Sequence, residues 1–135
     1  MGYYIDSMTS ETFTIDGAVF MKLLREWEEL NPDKHMSWCQ RVTDVPQTSV
    51  EVIRSFGFSV TEPENGSINI DYWDGDKMGW TWDEMWEMFS KSTSPETDIR
   101  WMIRGEDNEV WCEQICNNTH TTLRVEVIYQ VQEQQ

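Results

Sequence analysis

Basic residues are scarce in this chain. Ten Lys and Arg stand against 25 Asp and Glu, a formal charge of −15 at pH 7. The shortage excludes ordinary binding to a nucleic-acid backbone, which needs cations to displace counterions. It also disfavours an anionic membrane surface. Cysteine is limited to Cys39, Cys112 and Cys116, with no C-x-x-C pair. No apolar run approaches the ~20 residues of a membrane-spanning helix. The start, Met1-Gly2-Tyr3-Tyr4-Ile5-Asp6, lacks the basic and apolar regions of a secretory signal. Its Tyr3-Tyr4 context is unlike that of a myristoylated Gly2. The expectation is a cytoplasmic protein with reduced thiols. Also missing are G-x-S-x-G, G-x-x-x-x-G-K-[ST] and G-x-G-x-x-G, so neither a nucleophile elbow nor a nucleotide loop is indicated.

What is abundant is aromatic surface. Eight Trp, five Phe and four Tyr in 135 residues need a core or an interface. The length suits one domain, expected over residues 1–135 with a polar tail at 132–135.

Hydrophobic spacing predicts the elements. Tyr3 to Ile15 is rich in Tyr, Ile, Thr and Phe and predicts one strand or two short ones. Val19, Phe20, Leu23, Leu24 and Trp27 form a helical stripe, with Asp16 as N-cap and Asn31-Pro32 as the stop. Residues 31–48 are irregular. Thr48-Ser49-Val50-Glu51 has the form of a capping box and favours a short helix closed by Gly57 over a strand at 50–54. Phe58 and Val60, then Ile68, Ile70 and Tyr72, alternate around Pro63-Glu64-Asn65-Gly66, a hairpin signal. Thr81-Trp82-Asp83-Glu84 is a second capping box, opening a helix with Trp82, Met85, Trp86 and Phe89 on one face. Three strands follow, over Ile99–Arg104, Val110–Cys116 and Thr121–Tyr129. Turns separate them at Gly105-Glu106-Asp107-Asn108 and Asn117-Asn118. The glycosylation-like Asn65-Gly66-Ser67 and Asn117-Asn118-Thr119 are better taken as turns. The order implies an α+β fold: a mostly antiparallel sheet of five to six strands, with two main helices packed on one face.

The acid is uneven. Residues 62–113 carry a net charge of −10, against −4 before them and −1 after. Glu62 and Glu64, Asp74 and Asp76, and Asp107 and Glu109 are each two positions apart. Same-face strand residues lie ~6.7 Å apart, and B-DNA presents one phosphate per ~3.4 Å along each strand. An acidic strand face can therefore imitate every second phosphate. Asp71, Glu106 and, on a helix face, Asp83, Glu84 and Glu87 would extend that surface. Trp73 and Trp80 flank the acidic Asp74-Gly75-Asp76 turn. They would either cap the core edge or act as aromatic anchors inside an acidic rim. Trp111 is left without an assignment. Acid that only confers solubility is the competing explanation.

Other chemistries fit less well. Cys112, Cys116 and His120, with Cys39, are zinc-compatible types, but their four-residue spacing falls in a strand and turn. Asp71, Asp74 and Asp76 could hold a cation. An EF-hand loop begun at Asp74 fails at its fifth position, Met78. Paired carboxylates beside Trp platforms would suit glycoside hydrolysis, yet no pair of acids sits isolated in an apolar stretch.

Three segments carry a resemblance: Met1-Gly2-Tyr3-Tyr4, Asp71-Tyr72-Trp73-Asp74 and Gly105-Glu106-Asp107-Asn108-Glu109-Val110-Trp111. Together the chain resembles a loose group of small, mostly phage-borne proteins. These open Met-Gly-Tyr, carry a Trp/Tyr-Asp segment before a helix, and end with a Gly-Glu-rich turn before an acid and a Trp. It departs from them in its single Gly105 and in the stretch 31–48. The resemblance implies a phage setting, where small acidic proteins inhibit host defence in the manner of anti-CRISPR or anti-restriction proteins. It carries over no catalytic residue.

The expectation is thus a non-enzymatic acidic binding protein without a cofactor, acting in the host cytoplasm. Its surplus carboxylates would gather on one side and mimic nucleic acid toward a basic host protein or nucleic-acid-binding complex. It would contact neither nucleic acid nor membrane directly. The alternatives are a small metal-dependent hydrolase using Asp71, Asp74 and Asp76, and an adaptor self-assembling through its last strand.

Overall fold

The computed structural model describes residues 3–64, 66–126 and 130–132. The first β-rich run divides into β1 (Tyr3–Thr9) and β2 (Phe13–Asp16). Helix α1 (Gly17–Leu30) follows at once, because the Asp16 carboxylate accepts the free amides of Ala18 and Val19. After the irregular stretch comes α2 (Ser49–Phe56), then β3 (Phe58–Glu64), β4 (Ser67–Trp73) and the two-residue β5 (Lys77–Met78). Helix α3 (Trp82–Ser92) precedes β6 (Asp98–Gly105), β7 (Val110–Cys116) and β8 (Thr119–Arg124).

The fold is α+β and the pairing antiparallel, but the strands form two sheets rather than one. Five strands pair in the order β5-β1-β6-β7-β8 and three in the order β2-β4-β3. The division begins at residues 10–12, where the first run breaks. β1 goes to β6, while β2 goes to β4. Helix α2 is a third helix, packing on β3 and α1.

Both local signals around α2 operate. Thr48 and Glu51 make a reciprocal capping box, and Gly57 closes the helix at φ +112°, a conformation that costs glycine little. The box at residues 81–84 does not form. Thr81 makes no side-chain cap, because its buried hydroxyl is hydrogen-bonded to Ser37. The β3–β4 hairpin turns where expected, with Gly66 at φ +88°; Asn65 lies outside the described residues. Asn117 and Asn118 turn in the left-handed region, at φ 54° and 58°.

The core is aromatic and lies where the two sheets meet α3. The Phe58 ring, from β3, stands 5.6 Å from that of Trp101 on β6 and 5.3 Å from that of Phe89 on α3. Phe13 of β2 stands 5.9 Å from Trp86 and 6.0 Å from Trp101. These side chains are all but inaccessible.

The 31–48 stretch is irregular yet anchored. Buried Glu28, on the inner face of α1, accepts the amides of Val42 at 2.8 Å and Thr43 at 3.1 Å. The Arg41 guanidinium returns to the carbonyls of Glu28 and Asn31, at 3.2 and 2.8 Å. It thus adds a side-chain donor to two carbonyls that already accept the amides of Asn31 and Lys34.

Candidate functional site

The structure gathers some of the expected acids at one end of the five-stranded sheet. The Ile5 amide donates to the Asp76 carbonyl at 3.0 Å, and the Glu106 amide to the Tyr4 carbonyl at 3.0 Å. Asp76 and Glu106 therefore flank β1 on opposite sides. The β6–β7 turn folds tightly, with Gly105 N donating to Glu109 O at 2.8 Å and Asn108 at φ 67°. This brings Asp107 onto the Tyr3 hydroxyl, which donates to its carboxylate. That bond raises the Tyr3 pKa and lowers that of Asp107. Asp83, from α3, lines a groove shared with Glu109. Among the described residues, none of these carboxylates has a Lys or Arg within 4.0 Å. Arg104 is engaged by Asp6 at 3.4 Å, and Lys77 lies over the Tyr4 ring at 5.1 Å.

The other expected acids lie elsewhere. Glu62 and Glu64 belong to β3 and Asp71 to β4, in the three-stranded sheet. Asp71 accepts from the Thr61 hydroxyl at 3.3 Å. Asp74 follows β4, its amide donating to Gly57 O at 2.7 Å. Glu84 is exposed on α3, while Glu87 faces His120. The expected acids come from both sheets and from α3. Asp71, Asp74 and Asp76 do not converge. Among the described residues, no three His, Cys, Asp or Glu are placed to hold a metal. Cys39, Cys112 and Cys116 are free thiols.

The two tryptophans beside the acidic turn part company. Trp73 is 7% exposed and packs against Phe58 and Trp82, so it is core and not an exposed anchor. A Cβ at Gly57 would come within 2.7 Å of its ring. Trp80 is 55% exposed. It neighbours Trp27, His35 and Lys34, at 6.0 to 6.3 Å.

A buried polar centre was missed by sequence reasoning. The registers of β6, β7 and β8 align Trp101, Glu113 and Thr122 in one row across the sheet. Glu113 thus occupies a core position and is inaccessible to solvent. Its carboxylate accepts from Trp82 Nε1, from Trp111 Nε1 at 3.2 Å and from Thr122 Oγ1 at 2.6 Å. His120 Nε2 lies 3.0 Å away. Burial pushes the Glu113 pKa up, but hydrogen bonds from His120, Thr122 and Trp82 outweigh it and hold the carboxyl below its usual range. His120 stacks on Trp86 at 5.9 Å, and its Nδ1 faces Glu87 at 3.8 Å. Both ring nitrogens face carboxylates, so the pair forms no nucleophile relay. The signal was available: alternation through Trp111, Glu113 and Ile115 puts a carboxylate on the inward face of a strand.

On β8, His120 and Thr122 meet Glu113. The described strand ends at Arg124, and residues 127 and 129 of the expected strand lie outside the described residues.

Next to Glu113 opens a groove of about 590 Å³. Tyr3, Met78, Trp111 and Leu123 line it, with Asp83, Glu109 and Arg124 as charged lining. The arrangement can desolvate an apolar stem and meet a cation with carboxylates. Set against known proteins, the chain matches no family model, no curated protein and no solved structure.

Proposed function

We propose that this is a non-enzymatic binding protein that docks its acidic end on a basic protein. In this reading it is a phage-encoded inhibitor of a host nucleic-acid-handling defence complex, acting by occupying a groove meant for nucleic acid. One observation carries the reading: Asp76, Asp83, Glu106, Asp107 and Glu109 share the β1 end without a Lys or Arg partner among the described residues. Strands lie ~4.8 Å apart, so Asp76 and Glu106, on either side of β1, stand about 10 Å apart at the backbone. Fixed carboxylates at such spacings present a phosphate-like field to a cationic groove.

The test is capture from a bacterial lysate on the immobilised chain, at low and high salt. The expected product is a basic, nucleic-acid-binding protein, released by salt and by competing DNA or RNA. The doubly reversed variant Asp76→Lys/Glu106→Lys should not retain it. Retention indifferent to salt and to charge reversal would refute the reading.

Self-assembly keeps one supporting observation, because β8 is an edge of the five-stranded sheet. A strict monomer at every concentration in sedimentation velocity would remove it.

A further inference from the structure

The groove beside Glu113 has a composition that the acidic-surface reading does not use. Its walls are aromatic and aliphatic, from Tyr3, Met78, Trp111 and Leu123. Two of those rings are held in place. The Trp111 indole is tied to Glu113 and the Tyr3 phenol to Asp107. Exposed Asp83 and Glu109 supply charge at the rim, and buried Glu113 supplies a third carboxylate. Against these three stands one cation, Arg124, which sits opposite Trp111 in the β7–β8 register. The groove is thus net negative and lined by a preorganised aromatic face.

We propose that this groove is a pocket for an arginine side chain of a basic partner. Its guanidinium lies against Trp111 and donates to Asp83 and Glu109, and its methylene stem runs along Met78 and Leu123. The proposal rests on the acidic docking reading and gives it a specific contact. Arginine fits better than lysine. Its planar, weakly hydrated head stacks on aromatic faces and forks onto carboxylates, whereas an ammonium is a compact, strongly hydrated point charge. An anionic ligand would face three carboxylates with only Arg124 in its favour. Arg124 itself competes with an incoming guanidinium, so its removal has a predicted sign that simple damage to the fold does not produce.

The probe is N-acetyl-arginine amide, titrated into the ¹⁵N-labelled full chain, with N-acetyl-citrulline amide as the uncharged isostere. The expected result is a saturable shift of the Trp111 and Trp82 indole N–H signals with the arginine probe. The citrulline probe should leave them in place, and the Trp80 indole should move with neither. Glu109→Gln should weaken the arginine probe roughly fivefold, and Arg124→Gln should tighten it by roughly the same factor, as for one exposed charge contact. Equal response to citrulline, a shift confined to Trp80, or weakening by Arg124→Gln would overturn the pocket. The two readings fail separately. Saturation of the groove without capture of any basic protein refutes docking alone. Capture of a basic protein that survives Asp83→Asn/Glu109→Gln refutes the pocket alone.

Discussion

Glu113 illustrates how one residue couples folding to charge. A carboxylate in a core row is tolerated because four side chains point hydrogen-bonding groups at it. Removing it strands the buried Trp82 indole and the largely buried His120 ring, and each unmet buried group costs ~1–3 kcal/mol. Glu113→Ala should therefore destabilise the protein by about 3 kcal/mol, read by urea denaturation, and Glu113→Gln by less. The linkage has a definite sign. A folded pKa below the unfolded value, ~4.3 for Glu, gives stability that is fully present above that value. It is lost as pH falls through the folded pKa. Acid unfolding below about pH 4.3 should be shallower in Glu113→Gln than in the parent. The inward position of Glu113 was legible from strand alternation, but its partners were not. Trp82 and His120 reach it from 31 and 7 residues away, and no local pattern announces such a meeting. For Trp73 the sequence left core edge and aromatic anchor open, and the choice falls to the core because Phe58, Trp82 and two glycines enclose the ring.

Among the elements, the same four-letter signature had two fates. At 48–51 the Thr hydroxyl accepts from Glu51 N at 3.2 Å, and the Glu51 carboxylate accepts from Thr48 N at 3.0 Å. Thr48→Ala should cost about 1 kcal/mol by thermal or urea unfolding, the usual value of an N-cap. At 81–84 the hydroxyl is drawn away by Ser37, 44 residues distant. A loss in Thr81→Ala would then come from the unmet Ser37 partner, and Ser37→Ala/Thr81→Ala should be less destabilising than the two single changes added. Helices, turns and most strand positions were legible because their signals are local: a cap, a glycine at positive φ, an alternation. Strand partners were not, because pairing order depends on contacts across the whole chain. The run from Tyr3 to Ile15 gives no sign that its halves join different sheets.

For the whole molecule, the charge surplus acts over distances greater than any single contact. At ~0.15 M salt the screening length is ~8 Å, so unpaired carboxylates around β1 act as a group on an approaching cationic surface. Reversing Asp76 and Glu106 to Lys should slow association with a basic partner by roughly tenfold at low salt. The melting temperature should hold or rise slightly, because both side chains are exposed and self-repulsion falls. Stopped-flow rates across a salt series, with a thermal melt on each variant, check both parts. A wild-type rate that is flat from 0.02 to about 0.5 M salt would remove the electrostatic steering on which docking depends.

The tethering of residues 31–48 to α1 has an operational consequence. Eighteen residues without regular structure would ordinarily invite cleavage by trypsin at Lys34 or Arg41. Here the Arg41 side chain is itself occupied by the end of α1, and Glu28 fastens the following amides from beneath. Nicking there should thus wait for the end of α1 to open, and the amides of Val42 and Thr43 should exchange with deuterium as slowly as those of the helix that holds them.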